Sequence, residues 1–121
     1  MITEHDILLL LQNSDAAVER AIVVIYNNQT ASEQISNVTS INNGKGFSGP
    51  DAGYGSYLAK WILSGRHLSG KHLTRARNMS MKYRKQLLEA AQVKMRAQAL
   101  EDAAAFQESV RVALAIQSFL I

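Results

Sequence analysis

Between Asp51 and Glu89 the chain carries eight lysines and arginines and no acidic residue. The eight cations are Lys60, Arg66, Lys71, Arg75, Arg77, Lys82, Arg84 and Lys85. Basic side chains in such a stretch suit nucleic-acid phosphates, because no carboxylate close by in the sequence cancels their charge. The same cations also suit an acidic protein surface. The pattern therefore indicates an anionic partner and leaves its class open.

The cations between Lys71 and Lys85 follow the period of an α-helix. At about 100° per residue, the polar positions fall within an arc of about 80° and the apolar positions lie opposite. The polar positions are Lys71, Arg75, Asn78, Lys82 and Lys85, and the apolar ones are Leu73, Ala76, Met79, Tyr83 and Leu87. This pattern predicts a basic helix that contacts mainly the DNA backbone, with Arg75 and Asn78 suited to base edges. The alternative is a solvated face without a ligand.

Two further arginines lie on the flank of this helix. Arg77 and Arg84 are one heptad apart and belong to the candidate nucleic-acid-binding set. They either contact phosphates or pair with acids such as Glu33.

A glycine-rich loop precedes the basic region. Gly44, Gly46 and Gly49 match G-x-G-x-x-G, but no convincing strand precedes them and no acid follows at the spacing that a dinucleotide site needs. The spacing of Lys45 also breaks the phosphate-loop pattern of nucleotide hydrolases. We predict a tight turn with positive φ, Phe47 in the core, and Gly44, Lys45 and Gly46 as candidate loop residues. Phosphate binding by free amides near Asp51 is the weaker alternative.

The aromatic residues Tyr54, Tyr57 and Trp61 recur at spacings of three and four. Such a stripe is typical of a helix core, with Tyr57 expected to be the most exposed ring, although aromatics beside cations also stack single-stranded bases.

His67 and His72 lack a third metal ligand, and no nucleophile elbow or paired carboxylates occur. We expect no enzyme activity, no metal and no cofactor.

Length and composition favour one soluble domain over residues 1–121. The net charge of +3 is modest, but the first part of the chain is acidic and the middle is basic. Cysteine is absent, the amino terminus lacks a basic secretory start, and the apolar runs are too short for a membrane span. We therefore expect a cytoplasmic protein without a membrane partner.

The pattern of caps and breakers predicts an all-α bundle of about five helices around the glycine-rich loop. Thr3 and Ser14 or Asp15 cap the first two helices, Asp51 caps a third that ends at Ser64-Gly65, and Ser69 opens a fourth. Residues 37–43 are expected to form a loop or one short strand. From Lys71 onward there is no glycine or proline, and a single rod would be about 75 Å long. A bend is therefore predicted near Glu101-Asp102.

The final predicted helix, about residues 103–121, is apolar on nearly every side. Its candidate oligomer-interface residues are Val112, Ile116, Phe119 and Leu120. A helix of this kind must be covered, so we predict a homodimer.

Four short segments give the chain a likeness to a known group of proteins. They are Asn43-Gly44-x-Gly46-Phe47, Asp51-Ala52, Leu68-Ser69-x-Lys71-x-Leu73 and Tyr83-x-x-Gln86-Leu87. Over about residues 26–88 the chain resembles a small helical module of phage and mobile-element proteins, which sometimes occurs beside replication or helicase functions. The resemblance implies a phage or mobile-element origin, a location in the host cytoplasm and a link to DNA.

Two hypotheses follow for the function. The first is a small phage-type DNA-binding or DNA-transaction accessory protein that places its basic helix on phosphates. The second is a phage-encoded protein-interaction module that inhibits a host defence or replication complex.

Overall fold

The computed structural model describes residues 1–39 and 46–120, and these ranges contain five α-helices and no strand. The helices are α1 (Glu4–Asn13), α2 (Asp15–Thr39), α3 (Gly49–Leu63), α4 (Gly70–Lys82) and α5 (Arg84–Leu120). The predicted all-α class is confirmed. The chain divides into two compact units, Met1–Ala90 and Ala91–Ile121. Helix α5 crosses the boundary between them. The single domain predicted over residues 1–121 stays a prediction.

The first two helices begin at the residues that their sequence indicates. The Thr3 hydroxyl accepts a hydrogen bond from the Asp6 amide at 3.3 Å, and the Asp6 carboxylate accepts one from the Thr3 amide at 2.8 Å. The Thr3 amide bond is the main reason that the pKa of Asp6 lies below its usual value. At the start of α2, the Ala17 amide donates to the Ser14 hydroxyl at 3.1 Å. Both caps satisfy amides that a helix leaves unpaired at its start.

The core of the first unit forms around α2, which packs against α1, α3 and α4. Val18, Ile22 and Ile25 of α2 are fully buried, as is Leu58 of α3. Each such side chain stabilises the fold by about 1.5–3 kcal/mol relative to an exposed position. The β-branched run of α2 is therefore helical because tertiary burial outweighs its strand propensity.

The end of the glycine-rich loop fits tightly into this core. Gly46 has φ of +84°, and a Cβ there would lie 2.5 Å from the Gln29 Cα. Phe47 is 7% exposed and packs edge-on against Tyr83, with ring centroids 5.7 Å apart. The predicted positive φ of a loop glycine and the buried Phe47 are confirmed. Gly44 and Lys45 lie outside the described residues.

Two predicted boundaries are wrong. Residues 37–39, expected to be loop or strand, belong to α2. Ser48 is the N-cap of α3, and Asp51 lies within its first turn. The first N–H groups of a helix have no acceptor within the helix, so proline, which lacks an N–H, loses no hydrogen bond in the first turn. Pro50 therefore fits inside the first turn of α3, which begins at Gly49.

The predicted bend near Glu101-Asp102 is also wrong, since α5 is continuous through these residues. Strong helix formers surround the two acids, and the Gln98 amide donates to the Asp102 carboxylate one turn away at 3.0 Å. The helical structure after Gly70 is interrupted at Tyr83 instead, where α4 ends and α5 follows. Tyr83 has φ of −102° and ψ of 22°.

The second unit consists of the remainder of α5. Its described side chains from Val93 to Ser118 are exposed. Eight large apolar side chains are among them: Val93, Met95, Leu100, Phe106, Val110, Val112, Leu114 and Ile116. Within residues 1–39 and 46–120, no helix has the length and apolarity needed to cross a membrane.

Candidate nucleic-acid interface

The outer face of α4 carries the predicted polar stripe. Lys71, Arg75, Asn78 and Lys82 are exposed there, and Lys85 is exposed at the start of α5. On the inner side, Ala76, Met79, Tyr83 and Leu87 are buried and Leu73 is half-buried. The apolar side chains thus fix the rotation of α4, and this rotation turns the stripe outward.

Carboxylates from other parts of the fold pair with three of the eight cations. Lys82 Nζ lies 2.9 Å from Asp51 Oδ2, and Arg84 Nε lies 3.2 Å from Glu4 Oε1. Arg77 Nη2 pairs with the Asp15 carboxylate. Of the two alternatives for the flanking arginines, the structure therefore has ion pairs, with Asp15 and Glu4 as the acids.

Arg77 is the most constrained of these three side chains. Its Nε donates to the carbonyl of Leu11 at 2.8 Å, near the end of α1, while the same guanidinium pairs with Asp15 at the start of α2. The last carbonyls of a helix lack intrahelical donors, so Arg77 satisfies one of them. Its side chain is only 24% exposed. Arg77 joins three helices.

Lys82 belongs to a hydrogen-bonded cluster at the junction of α3, α4 and α5. Tyr83 donates its hydroxyl proton to Asp51 Oδ2 at 2.6 Å and accepts from the Ser48 amide at 2.9 Å. The Tyr83 hydrogen bond lowers the pKa of Asp51, and burial raises the pKa of Tyr83. The Asp51 hydrogen bond raises the pKa of Lys82. The cluster therefore holds Asp51 ionised and offsets the charge of Lys82.

The other five cations are exposed and pair with no described carboxylate. They are Lys60, Arg66, Lys71, Arg75 and Lys85. Lys71 and Arg75 are one turn apart on α4. The charges of these two side chains therefore add on the exposed face of α4.

Two of these arginines lie over aromatic rings. Arg66 Cζ is 4.3 Å from the centroid of the Trp61 ring, and Arg75 Cζ is 5.8 Å from that of Tyr54. Both distances lie within the range of cation–π attraction. Arg66 lies in the segment between α3 and α4 and is not among the predicted nucleic-acid-binding residues.

Tyr54, Tyr57 and Trp61 form a row on one side of α3, which we call the aromatic ladder. Successive ring centroids are 6.3 and 6.5 Å apart. Tyr57 is 51% exposed, as predicted, whereas Tyr54 and Trp61 are half-buried at the surface and do not form the core expected for them. His72 of α4 lies against the ladder, with its Nδ1 2.7 Å from the Tyr54 hydroxyl.

Comparison of the chain with known protein families, with curated proteins and with solved structures gives no significant match.

The glycine-rich loop does not present a free amide at Gly46. Its N–H donates to Gln86 Oε1 at 2.8 Å, and its carbonyl accepts from Gln86 Nε2 at 3.1 Å. These two hydrogen bonds thus hold Gly46 against the first turn of α5. Among the described residues there is also no group of three or more His, Asp or Glu side chains placed to hold a metal.

Proposed function

We propose that the protein binds nucleic acid, DNA in preference to RNA, as a small accessory protein in phage or mobile-element DNA transactions in the host cytoplasm. Lys71 and Arg75 carry this proposal, because they lie one turn apart on the exposed face of α4 and pair with no described carboxylate. In this function their cations contact phosphates and release counterions.

The other nominated residues have different weights in the proposal. Lys85 is exposed and adds a further cation beyond α4, and Asn78 adds a neutral donor beside Arg75. Lys82 contributes less because Asp51 offsets its charge. Arg77 and Arg84 serve mainly to join helices, since each already pairs with an acid.

The proposed contacts predict a definite dependence on salt. When a protein binds a DNA duplex, the logarithm of its binding constant falls linearly with the logarithm of the salt concentration. The slope has a magnitude of about 0.9 for each phosphate neutralised. Lys71, Arg75 and Lys85 should therefore give a slope of about 3. A protein partner recognised through apolar contacts would give a much weaker dependence.

The test is fluorescence anisotropy with labelled DNA, comparing the wild type with the double variant K71E/R75E. The control is K94E/R96E in the second unit, which makes the same change in net charge on exposed side chains. We expect K71E/R75E to abolish binding with an unchanged circular dichroism spectrum and the control to retain most of it. Equal affinities for the two double variants would overturn the assignment to α4.

A second candidate function rests on the exposed apolar side chains of α5. We propose that this helix pairs with a second copy of the chain, and that Val112 and Ile116, which are 48% and 53% exposed, lie in the interface. The other two candidate interface residues, Phe119 and Leu120, belong to α5, but their side chains lie outside the described part of the structure. Burial of such side chains between subunits would stabilise a homodimer.

The same apolar surface also suits an interaction module that inhibits a host defence or replication complex. Affinity capture from host lysate with nuclease treatment separates the two functions. A specific protein that remains bound after nuclease treatment would favour the interaction module. Capture that depends on intact nucleic acid would favour the DNA-binding protein.

A further inference from the structure

We infer that the aromatic ladder of α3 is a stacking platform for the bases of single-stranded nucleic acid. This inference rests on the proposed nucleic-acid binding and names its substrate class. In a duplex the faces of the bases are covered by their neighbours, whereas in a single strand they are free to stack on protein rings.

The ladder has the composition and order of such a platform. Arg75 lies over Tyr54 at one end and Arg66 lies over Trp61 at the other, with Tyr57 between the two outer rings. Guanidinium planes stack on bases as aromatic rings do, so both ends extend the platform. Tyr54 and Trp61 are seven residues apart, which corresponds to about 10.5 Å along the helix axis.

Hydrogen bonds hold the outer rings in place before any ligand binds. The Trp61 indole N–H donates to the His67 carbonyl at 3.1 Å, and the Tyr54 hydroxyl pairs with His72 Nδ1 at 2.7 Å. Tyr57 stacks on Tyr54, is tilted by 33° to Trp61, and leaves half of its surface in solvent. A fixed platform loses little conformational entropy on binding, which favours affinity.

The ladder is continuous with the cations that would hold the sugar-phosphate chain. Tyr54, Arg75, Asn78 and Lys82 line one shallow groove, and Arg75 also lines the next one with Lys71 and Thr74. A small pocket is also lined by Tyr57, Trp61 and His72. The rings of α3 therefore lie beside the cations of α4, as a strand with bases on one side and phosphates on the other requires.

Two carboxylates lie near this surface, and both are already engaged. Asp51, one turn before Tyr54, pairs with Lys82 and accepts from Tyr83. Glu19 lies 3.0 Å from His67 Nδ1 and accepts from the Leu68 amide at 2.6 Å. Their repulsion of a phosphate chain is therefore reduced.

The experiment uses the full chain with three labelled probes of equal phosphate number: oligo-dT, oligo-rU and a hairpin duplex. Trp61 is the only tryptophan of the chain, so its fluorescence reports directly on the ladder. We expect the single strands to quench Trp61 and to bind more tightly than the hairpin. Tighter binding of oligo-dT would assign DNA as the ligand, and tighter binding of oligo-rU would assign RNA; either supports the platform.

The decisive variant is Tyr57→Ala, because this ring is exposed and its loss leaves the core intact. Base–aromatic stacking predicts a rise of about 5- to 150-fold in the Kd for oligo-dT. Tyr57→Phe keeps the ring and should retain affinity, and Phe106→Ala, an exposed ring of α5, should have no effect. Circular dichroism verifies that each variant is folded.

Two results would overturn the inference, and they differ in what they mean for the proposed function. Salt-dependent binding of the hairpin without Trp61 quenching, and without an effect of Tyr57→Ala, would leave the DNA-binding proposal standing and remove the platform. Binding of none of the three probes would overturn both.

Discussion

The side-chain amide of Gln86 pairs with the backbone of Gly46 through two hydrogen bonds. Oε1 accepts from the glycine N–H at 2.8 Å, and Nε2 donates to the glycine carbonyl at 3.1 Å. A buried peptide group without such partners would cost about 1–3 kcal/mol. The pairing therefore fixes the end of the glycine-rich loop on the first turn of α5 and brings Phe47 into the core.

Gly46→Ala should destabilise the first unit by about 2–5 kcal/mol, because it combines a left-handed backbone with a steric clash. The new Cβ would lie 2.5 Å from the Gln29 Cα at φ of +84°. Gly65→Ala is the control, since Gly65 has φ of +92° but no atom within 4 Å of the added Cβ. It should cost only the backbone term of about 1–2 kcal/mol. Urea unfolding measures both, and equal losses would contradict the clash with Gln29.

Gly55 and Gly53 offer a comparison within one helix. A Cβ on Gly55 would lie 2.6 Å from the buried Phe47 ring, whereas a Cβ on Gly53 would meet no atom within 4 Å. Gly55→Ala should therefore destabilise by about 1–3 kcal/mol. Gly53→Ala should stabilise by about 0.5–1 kcal/mol, because alanine is the better helix former. Thermal unfolding followed by the helical circular dichroism signal checks that the two variants shift the unfolding midpoint in opposite directions.

Asp51→Asn tests the cluster around Tyr83 through its dependence on pH. The hydrogen bond from Tyr83 lowers the pKa of Asp51 below the ordinary value of 3.8. The folded state thus binds this proton more weakly than the unfolded state, so the stabilisation is full above that value and is lost as pH falls through the lowered pKa. We expect a loss of about 1–3 kcal/mol in Asp51→Asn near neutral pH.

The difference between Asp51→Asn and the wild type should shrink as the pH falls below about 4. The control is Glu101→Gln, an exposed acid of α5, which should change stability little at any pH. Urea unfolding across this range provides the measurement. A difference that stays constant down to about pH 2 would show that the ionised carboxylate of Asp51 contributes nothing.

Local features of the fold could be predicted from the sequence, since their causes lie within a few residues. Thr3 and Asp6 form a capping box, Gly65 ends α3, and Ser69 precedes α4, as their types indicate. The amphipathic period of α4 likewise gave the buried and exposed positions. The boundary between α4 and α5 at Tyr83 could not be predicted. The Tyr83 hydroxyl bonds to Ser48 and Asp51 at the start of α3, and these residues are distant in the sequence.

The candidate site was predictable only in part for the same reason. The basic stretch is visible in the sequence, but the acids that pair with Arg77 and Arg84 come from α1 and α2. Nothing in the sequence gives the distance between such residues before the helices pack. The aromatic spacing was visible too, whereas the position of the ladder at the surface depends on how α4 lies beside α3.

Arg77 and Arg75 lie two residues apart on α4 and should affect different properties. Arg77→Ala removes the bond to the Leu11 carbonyl and leaves Asp15 without its partner, which should destabilise by about 1–3 kcal/mol. Its effect on DNA affinity should be small, because this guanidinium is already engaged. Arg75→Ala should instead weaken DNA binding and change stability by less than about 0.5 kcal/mol. Urea unfolding and anisotropy on both variants test this reversal, and a larger binding defect in Arg77→Ala would contradict it.

The exposed apolar side chains of α5 predict self-association that added charge disrupts. Val112→Glu/Ile116→Glu would place two carboxylates in the proposed interface, where burial without partners is costly. Gln107→Glu/Gln117→Glu adds the same charge at positions about 100–180° around the helix from Val112 and Ile116, at about 100° per residue, and should leave the dimer intact. Sedimentation equilibrium over a range of concentrations distinguishes the two variants. A wild-type protein that is monomeric at every concentration would refute pairing through α5, whereas dissociation of both variants alike would assign the effect to net charge and not to Val112 and Ile116.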